Sequence, residues 1–177
     1  MKQAGNRSGK ILEITLFSML GALMFALQIA MEFLPNIHLT GMLIILYTAV
    51  FRKKALIPVI VYILLCGVRW GFSVSWVPYL YLWPILWGMA MLIPARLPMK
   101  KARFLYPVVG FLHGMSFGTL YAPAQMLFFG FSFQQTIAWI ITGLPWDLVH
   151  GAGNFAACLM IPLLKPPLEK AARKLER

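Results

Sequence analysis

Asp147, His150 and Asn154 stand at i, i+3 and i+7 in an otherwise apolar stretch, a spacing that puts all three on one face of a helix. A carboxylate, an imidazole and an amide so aligned can hydrogen-bond a small molecule or hold neighbouring helices together, and both readings stay open. Trp146 adjoins Asp147 and belongs to the same candidate site. A second polar group surrounds the turn signal Pro35-Asn36: Glu32, Asn36 and His38, with Gln28 one helical turn below Glu32. Arg69 is an isolated cation. It could grip a carboxylate or phosphate through two N–H groups, pair with Glu32 or Asp147, or reach out to an interface. His113 is flanked by Gly110, Gly114 and Gly118, which favours a packing hydrogen bond over ligand contact; Tyr121 and Gln125 are better placed for a ligand.

Aromatic residues gather near these groups. Trp70, Trp76, Tyr79, Tyr81 and Trp83 fall close together, and Tyr121 joins them from further along the chain. Such rings anchor helices at a membrane interface, but this density also suits stacking on a planar ligand. Trp70, Trp76 and Tyr121 are the candidate walls. The set describes a pocket with aromatic sides and few polar directors, as small-molecule sites usually have.

The elements that hold these residues follow from charge and hydropathy. Fifteen of the 16 Lys and Arg residues lie in four clusters: Lys2/Arg7/Lys10, Arg52/Lys53/Lys54, Arg96/Lys100/Lys101/Arg103 and Lys165/Lys170/Arg173/Lys174/Arg177. Long apolar stretches separate the clusters, and only Arg69 lies between them. Basic loops stay on the cytoplasmic side of a membrane. The pattern therefore predicts an all-α integral membrane protein: six transmembrane helices in one bundle, with both termini cytoplasmic. The expected helices cover about 11–34, 37–51, 55–70, 78–93, 104–122 and 136–164, set against the roughly 20 mostly apolar residues that a span needs. Residues 165–177 form a cytoplasmic tail. The outer connection between the last two spans is placed around Pro123 to Gln135, and a kink is expected at Pro145.

Composition excludes several classes. A chain of 177 residues that is 60% apolar, with five acidic groups and a mean hydropathy of +0.77, is not a soluble domain. Its net charge of +11 faces anionic lipid on this reading and gives no nucleic-acid partner. The basic, then apolar, N-terminus resembles a signal peptide, but the uncharged run Ile14–Met31 is too long for one and reads as a retained first helix. Cys66 and Cys158 lie inside apolar spans, without metal-ligand or redox spacing. No phosphate-binding Gly-x-x-x-x-Gly-Lys-Ser/Thr loop occurs, so energy for transport would come from partners or an ion gradient. An intramembrane enzyme built on His113, His150, Asp147 and Glu32 would lack the usual hydrolase and metalloprotease motifs. No metal or other cofactor is expected. A stand-alone facilitator remains the nearer alternative.

Ser18, Ala22, Ala26 and Ala30 recur every four residues in the first helix, forming a face that lets another helix approach closely. That face is either a seam inside the bundle or a docking surface for another membrane protein. With this stripe, the six-helix layout and the segment Gly143-Leu144-Pro145-Trp146, the whole chain resembles the substrate-binding S components of energy-coupling factor (ECF) vitamin transporters. The resemblance implies a capture subunit in a bacterial plasma membrane. It would bind a vitamin or related micronutrient at the outer face and dock Ala22, Ala26 and Ala30 on a membrane T component powered by two ATPase subunits. The run 143–150 is similar to the Pro-Phe-Asn-x-x-Lys pattern of riboflavin-binding members. The Asn and Lys positions fall on Asp147 and His150, which argues against riboflavin and leaves the ligand open.

Overall fold

The computed structural model describes residues 2–175, and every regular element among them is helical. Eight α-helices follow in order: α1 (Lys2–Ala30), α2 (Thr40–Phe51), α3 (Leu56–Trp70), α4 (Tyr79–Met91), α5 (Met99–Met115), α6 (Phe117–Phe129), α7 (Phe133–Cys158) and α8 (Ile161–Leu175). A 3-10 turn, Arg52–Ala55, joins α2 to α3. Only Ser116 separates α5 from α6. A short break at Leu159-Met160 turns the chain by 56° between α7 and α8. The two breaks group the eight helices into six rods. Arg177, counted in the fourth basic cluster, lies outside the described residues, as do the side chains of Lys2, Arg7 and Lys174.

α2 is the hub. Thr40–Thr48 are all buried, and a helix apolar on every side belongs in the interior. α4, α5, α7 and α8 pack around it, while α1 lies outside, mainly against α3. Phe17, Leu20 and Met24 bury the inner face of α1. Between them Gly21 lets the backbones meet: a Cβ there would stand 2.7 Å from Val61 Cβ and 2.8 Å from the Pro58 carbonyl oxygen. Ser18, Ala22, Ala26 and Ala30 are exposed on the opposite side. The seam with α3 thus runs through Gly21, and the alanine stripe faces away from the bundle. α5 and α7 touch through Gly114 and Gly151, where a Cβ on Gly114 would stand 2.6 Å from Gly151 Cα.

One end of the bundle collects basic residues. Lys54 pairs with Glu13 of α1 at 2.9 Å, and Ala172 of α8 borders the same crevice. Arg52 donates from its guanidinium to the carbonyls of Met91 and Ile93 at 2.8 and 3.0 Å, satisfying acceptors that the end of α4 leaves open. The link carrying Arg96 follows directly. Lys165 is buried and lies 3.6 Å from Glu169, so part of the expected tail is packed helix.

Several boundaries differ from expectation for local reasons. The first helix stops at Ala30, and α2 starts only at Thr40, because Asn36 takes a left-handed backbone (φ 57°) just after Pro35. The segment Pro123–Gln135, expected as a connection, is mostly helical. α6 continues through Pro123 to Gly130, whose φ of 66° ends it, and Ser132 with Gln135 forms a capping box that starts α7 at Phe133. α7 runs without interruption through Pro145; the bend falls instead before Pro162. Among the described residues α1, over Gly9–Ala30, is the one helix that alone is long and apolar enough to cross a membrane, and α7 with α8 passes as a bent pair. α2, α3 and α4 have 12, 15 and 13 residues, short of the roughly 20 of a full span.

Candidate functional site

Two hollows adjoin at the end of the bundle away from the basic clusters. The inner one, about 190 Å³, lies beneath the α1–α2 connection and is walled by the rings of Tyr62, Tyr79, Trp83 and Phe117. His38 and His150 face each other in it, ring centroids 4.8 Å apart and planes at 66°. The outer cleft, about 450 Å³, opens between α6 and α7, with Tyr121, Trp139, Trp146 and Asp147 on its walls. Pro35, Asn36 and Phe117 line both, so these three residues form the partition between them.

The inner wall carries polar atoms that the protein does not pair. His38 Nδ1, His150 Nε2 and Trp83 Nε1 are buried without a hydrogen-bond partner, although His150 is 3% exposed and Trp83 only 2%. Leaving a buried donor or acceptor unpaired costs about 1–3 kcal/mol. Three on one small wall make this hollow the candidate polar site; four further unpaired buried atoms, on Tyr47, His113 and Asn154, lie outside it. Burial, with a smaller contribution from nearby His113, pushes the pKa of His38 down to about 4, so this imidazole is neutral at pH 7. His113 itself donates from Nε2 to the Leu82 carbonyl at 3.1 Å and acts as a packing residue beside Trp83.

Charge at the site is one-sided. Glu32 lines the inner hollow and Asp147 the outer cleft, while among the described residues no Lys or Arg lines either. Asp147 has a structural partner as well: the Gly118 N–H, 3.1 Å from both carboxylate oxygens. Gln28 reaches the inner hollow and accepts a hydrogen bond from Thr40 Oγ1 at 3.0 Å, joining the end of α1 to the start of α2.

The remaining expected site residues lie elsewhere. Arg69 is exposed, with its guanidinium 5.7 Å from the Trp70 ring centroid, and lines neither hollow. Among the described residues it forms no ion pair with Glu32 or Asp147. Asn154 is buried deeper, against Gly41 of α2. Gln125 is half-buried on α6 and lines neither hollow. Trp70 and Trp76 border a third recess, of about 190 Å³, which shares Tyr79 with the inner hollow. Trp76 donates its indole N–H to the Ile63 carbonyl at 2.8 Å, and Tyr121 donates its hydroxyl to the Ser75 carbonyl at 2.6 Å. Both hold the α3–α4 connection in place.

Sequence reading passed over Tyr62 and Phe117, named Tyr79 and Trp83 only within the aromatic cluster, and left His38 outside the candidate site. Trp83 follows Tyr79 by four residues, the spacing that puts both on one helix face. For Tyr62 and Phe117 no sequence signal distinguishes a pocket ring from an ordinary core ring. Among the described residues no group of three or more His, Cys, Asp or Glu converges to hold a metal ion. No protein-family model, curated protein or solved structure matches this chain.

Proposed function

We propose that this protein is the substrate-capturing membrane subunit of an ECF-type importer, taking a vitamin-like molecule at its outer face and passing it inward through partner proteins. The observation that carries the reading is the outward face of α1. Ala22, Ala26 and Ala30 are exposed, while Phe17, Leu20 and Met24 supply the contact with the bundle. A small-residue face with no partner among the described residues suits close approach by another membrane helix. The T component and its two ATPases come from the family resemblance.

The bilayer setting has its own support. Ile57, Ile60, Leu64 and Val68 form an exposed apolar stripe along α3, of a kind that water-soluble monomers rarely present. Basic groups gather at one end of the bundle, and the two hollows, with their carboxylates, lie at the other. The shortest rod, α2, fits this setting because protein encloses it. Non-helical backbone is tolerated at membrane depth where protein surrounds it.

The test separates binding from docking. Ala22→Trp and Ala26→Trp should abolish uptake in cells that carry the ATPase partners. The purified variants should still retain the small molecule that mass spectrometry finds with the gently solubilised parent protein. Normal uptake by both variants overturns the docking role. Uptake by the chain alone in liposomes would make it a facilitator.

A further inference from the structure

Resting on the reading of the outer end as a capture site, we propose that the inner hollow selects a small organic cation built on one heteroaromatic ring. Size comes first. An apolar cavity of about 150 Å³ takes benzene, so about 190 Å³ matches one six-membered ring with small substituents. Any longer substituent would extend past Pro35 and Asn36 into the outer cleft, which they also line.

The unpaired polar atoms define the ring's chemistry. The Trp83 indole N–H can only donate, so the guest brings an acceptor such as a ring nitrogen. His38 Nδ1 and His150 Nε2 are unpaired, and in the tautomer that leaves these nitrogens without a proton each accepts from an amino or ammonium group. A plain hydrocarbon ring would leave all three atoms unsatisfied.

Sign of charge follows from the walls. Tyr62, Tyr79, Trp83 and Phe117 surround the hollow with aromatic rings, whose faces attract cations. Glu32 stands on the inner hollow and Asp147 on the cleft beside it. Asp147 keeps acceptor capacity beyond its bond to Gly118, since a carboxylate has about four lone-pair sites. A carboxylate or phosphate guest would meet Glu32 in the inner hollow and Asp147 in the cleft beside it, with no Lys or Arg among the described residues that line either, and Arg69 lies against Trp70 instead.

Three probes of the same ring size test this with the full-length purified protein: 3-(aminomethyl)pyridine, nicotinamide and nicotinate, followed by tryptophan fluorescence. The cationic amine should bind saturably and at least tenfold more tightly than neutral nicotinamide, with nicotinate not binding. Glu32→Gln, at an exposed position, should weaken the amine about tenfold and leave nicotinamide within twofold. Preference for nicotinamide or nicotinate overturns the charge assignment but leaves the capture reading intact. Absence of saturable binding by any probe overturns the ring assignment. Amine binding untouched by Glu32→Gln, Trp83→Phe and His150→Gln would place the site elsewhere and remove both readings. Loss of the docking role is read separately, from uptake by the Ala22 and Ala26 variants.

Discussion

Asp147 holds both carboxylate oxygens 3.1 Å from the Gly118 N–H, across the break between α5 and α6. The first turn of a helix leaves N–H groups unpaired, and an acid on a neighbouring helix satisfies one of them here while complementing the helix dipole. Asp147 therefore has a structural task beside any role toward a ligand. Asp147→Ala should lower stability by about 1–2 kcal/mol, as loss of a helix cap does. Asp147→Asn keeps an acceptor and should recover much of the loss. Thermal unfolding in detergent measures both; equal melting of all three proteins would deny the cap.

Gly114 should tolerate no side chain. Its Cβ would stand 2.6 Å from Gly151 Cα, a backbone atom that cannot swing aside. Gly114→Ala should cost about 1–3 kcal/mol by overpacking. Gly88→Ala, on α4 with nothing within 4 Å of the new Cβ, should be neutral or stabilising by up to about 1 kcal/mol. The two melting temperatures, compared with the parent, check the contrast.

Neighbouring positions on α1 should behave in opposite ways. Gly21→Leu drives a side chain into Val61 and the Pro58 carbonyl and should loosen α1 from α3, lowering the melting temperature. Ala22→Leu, on the exposed face, should leave melting within about 0.5 kcal/mol of the parent. If both variants melt together, α1 is seated on a different face.

Acid should weaken the fold in part through His38. Its pKa is pushed from 6.5 down to about 4, so between those values the unfolded chain binds a proton that the folded chain does not. Stability therefore rises with pH across this window; it is fully present above 6.5 and is lost as pH falls toward 4. His38→Gln should flatten part of that slope. An unchanged slope in the variant would mean that His38 is not held neutral.

The sidedness of the bundle can be read with a membrane-impermeant thiol reagent. Cys66 and Cys158 are buried and give little background. Ser73→Cys should label in intact cells, and Lys101→Cys only after the membrane is opened. The reverse pattern would invert the topology and remove the external site.

Much of this organisation was legible because it rests on local chemistry. Basic clusters, Pro-Asn turns and long apolar runs report on the nearest few residues, and they located the six rods and the polar face of α7 carrying Asp147 and His150. The start of α7 was missed although Ser132 and Gln135 have capping-box spacing, because the uncharged chain around them looked like loop. The pocket was less readable. Which rings face a hollow depends on how α3, α4 and α6 pack, so Tyr62 and Phe117 could not be told from core residues. Arg69 drew attention as an isolated cation, yet its position at the end of α3 turns it onto Trp70, away from the hollows.

Asn36, with its left-handed backbone, stands with Pro35 between two chambers that share no other residue except Phe117. Whatever passes from the wide vestibule to the narrow one has to go by this stiff corner. Replacing Asn36 with glycine, which adopts that backbone without strain, would hasten arrival and escape alike while the equilibrium constant barely moves.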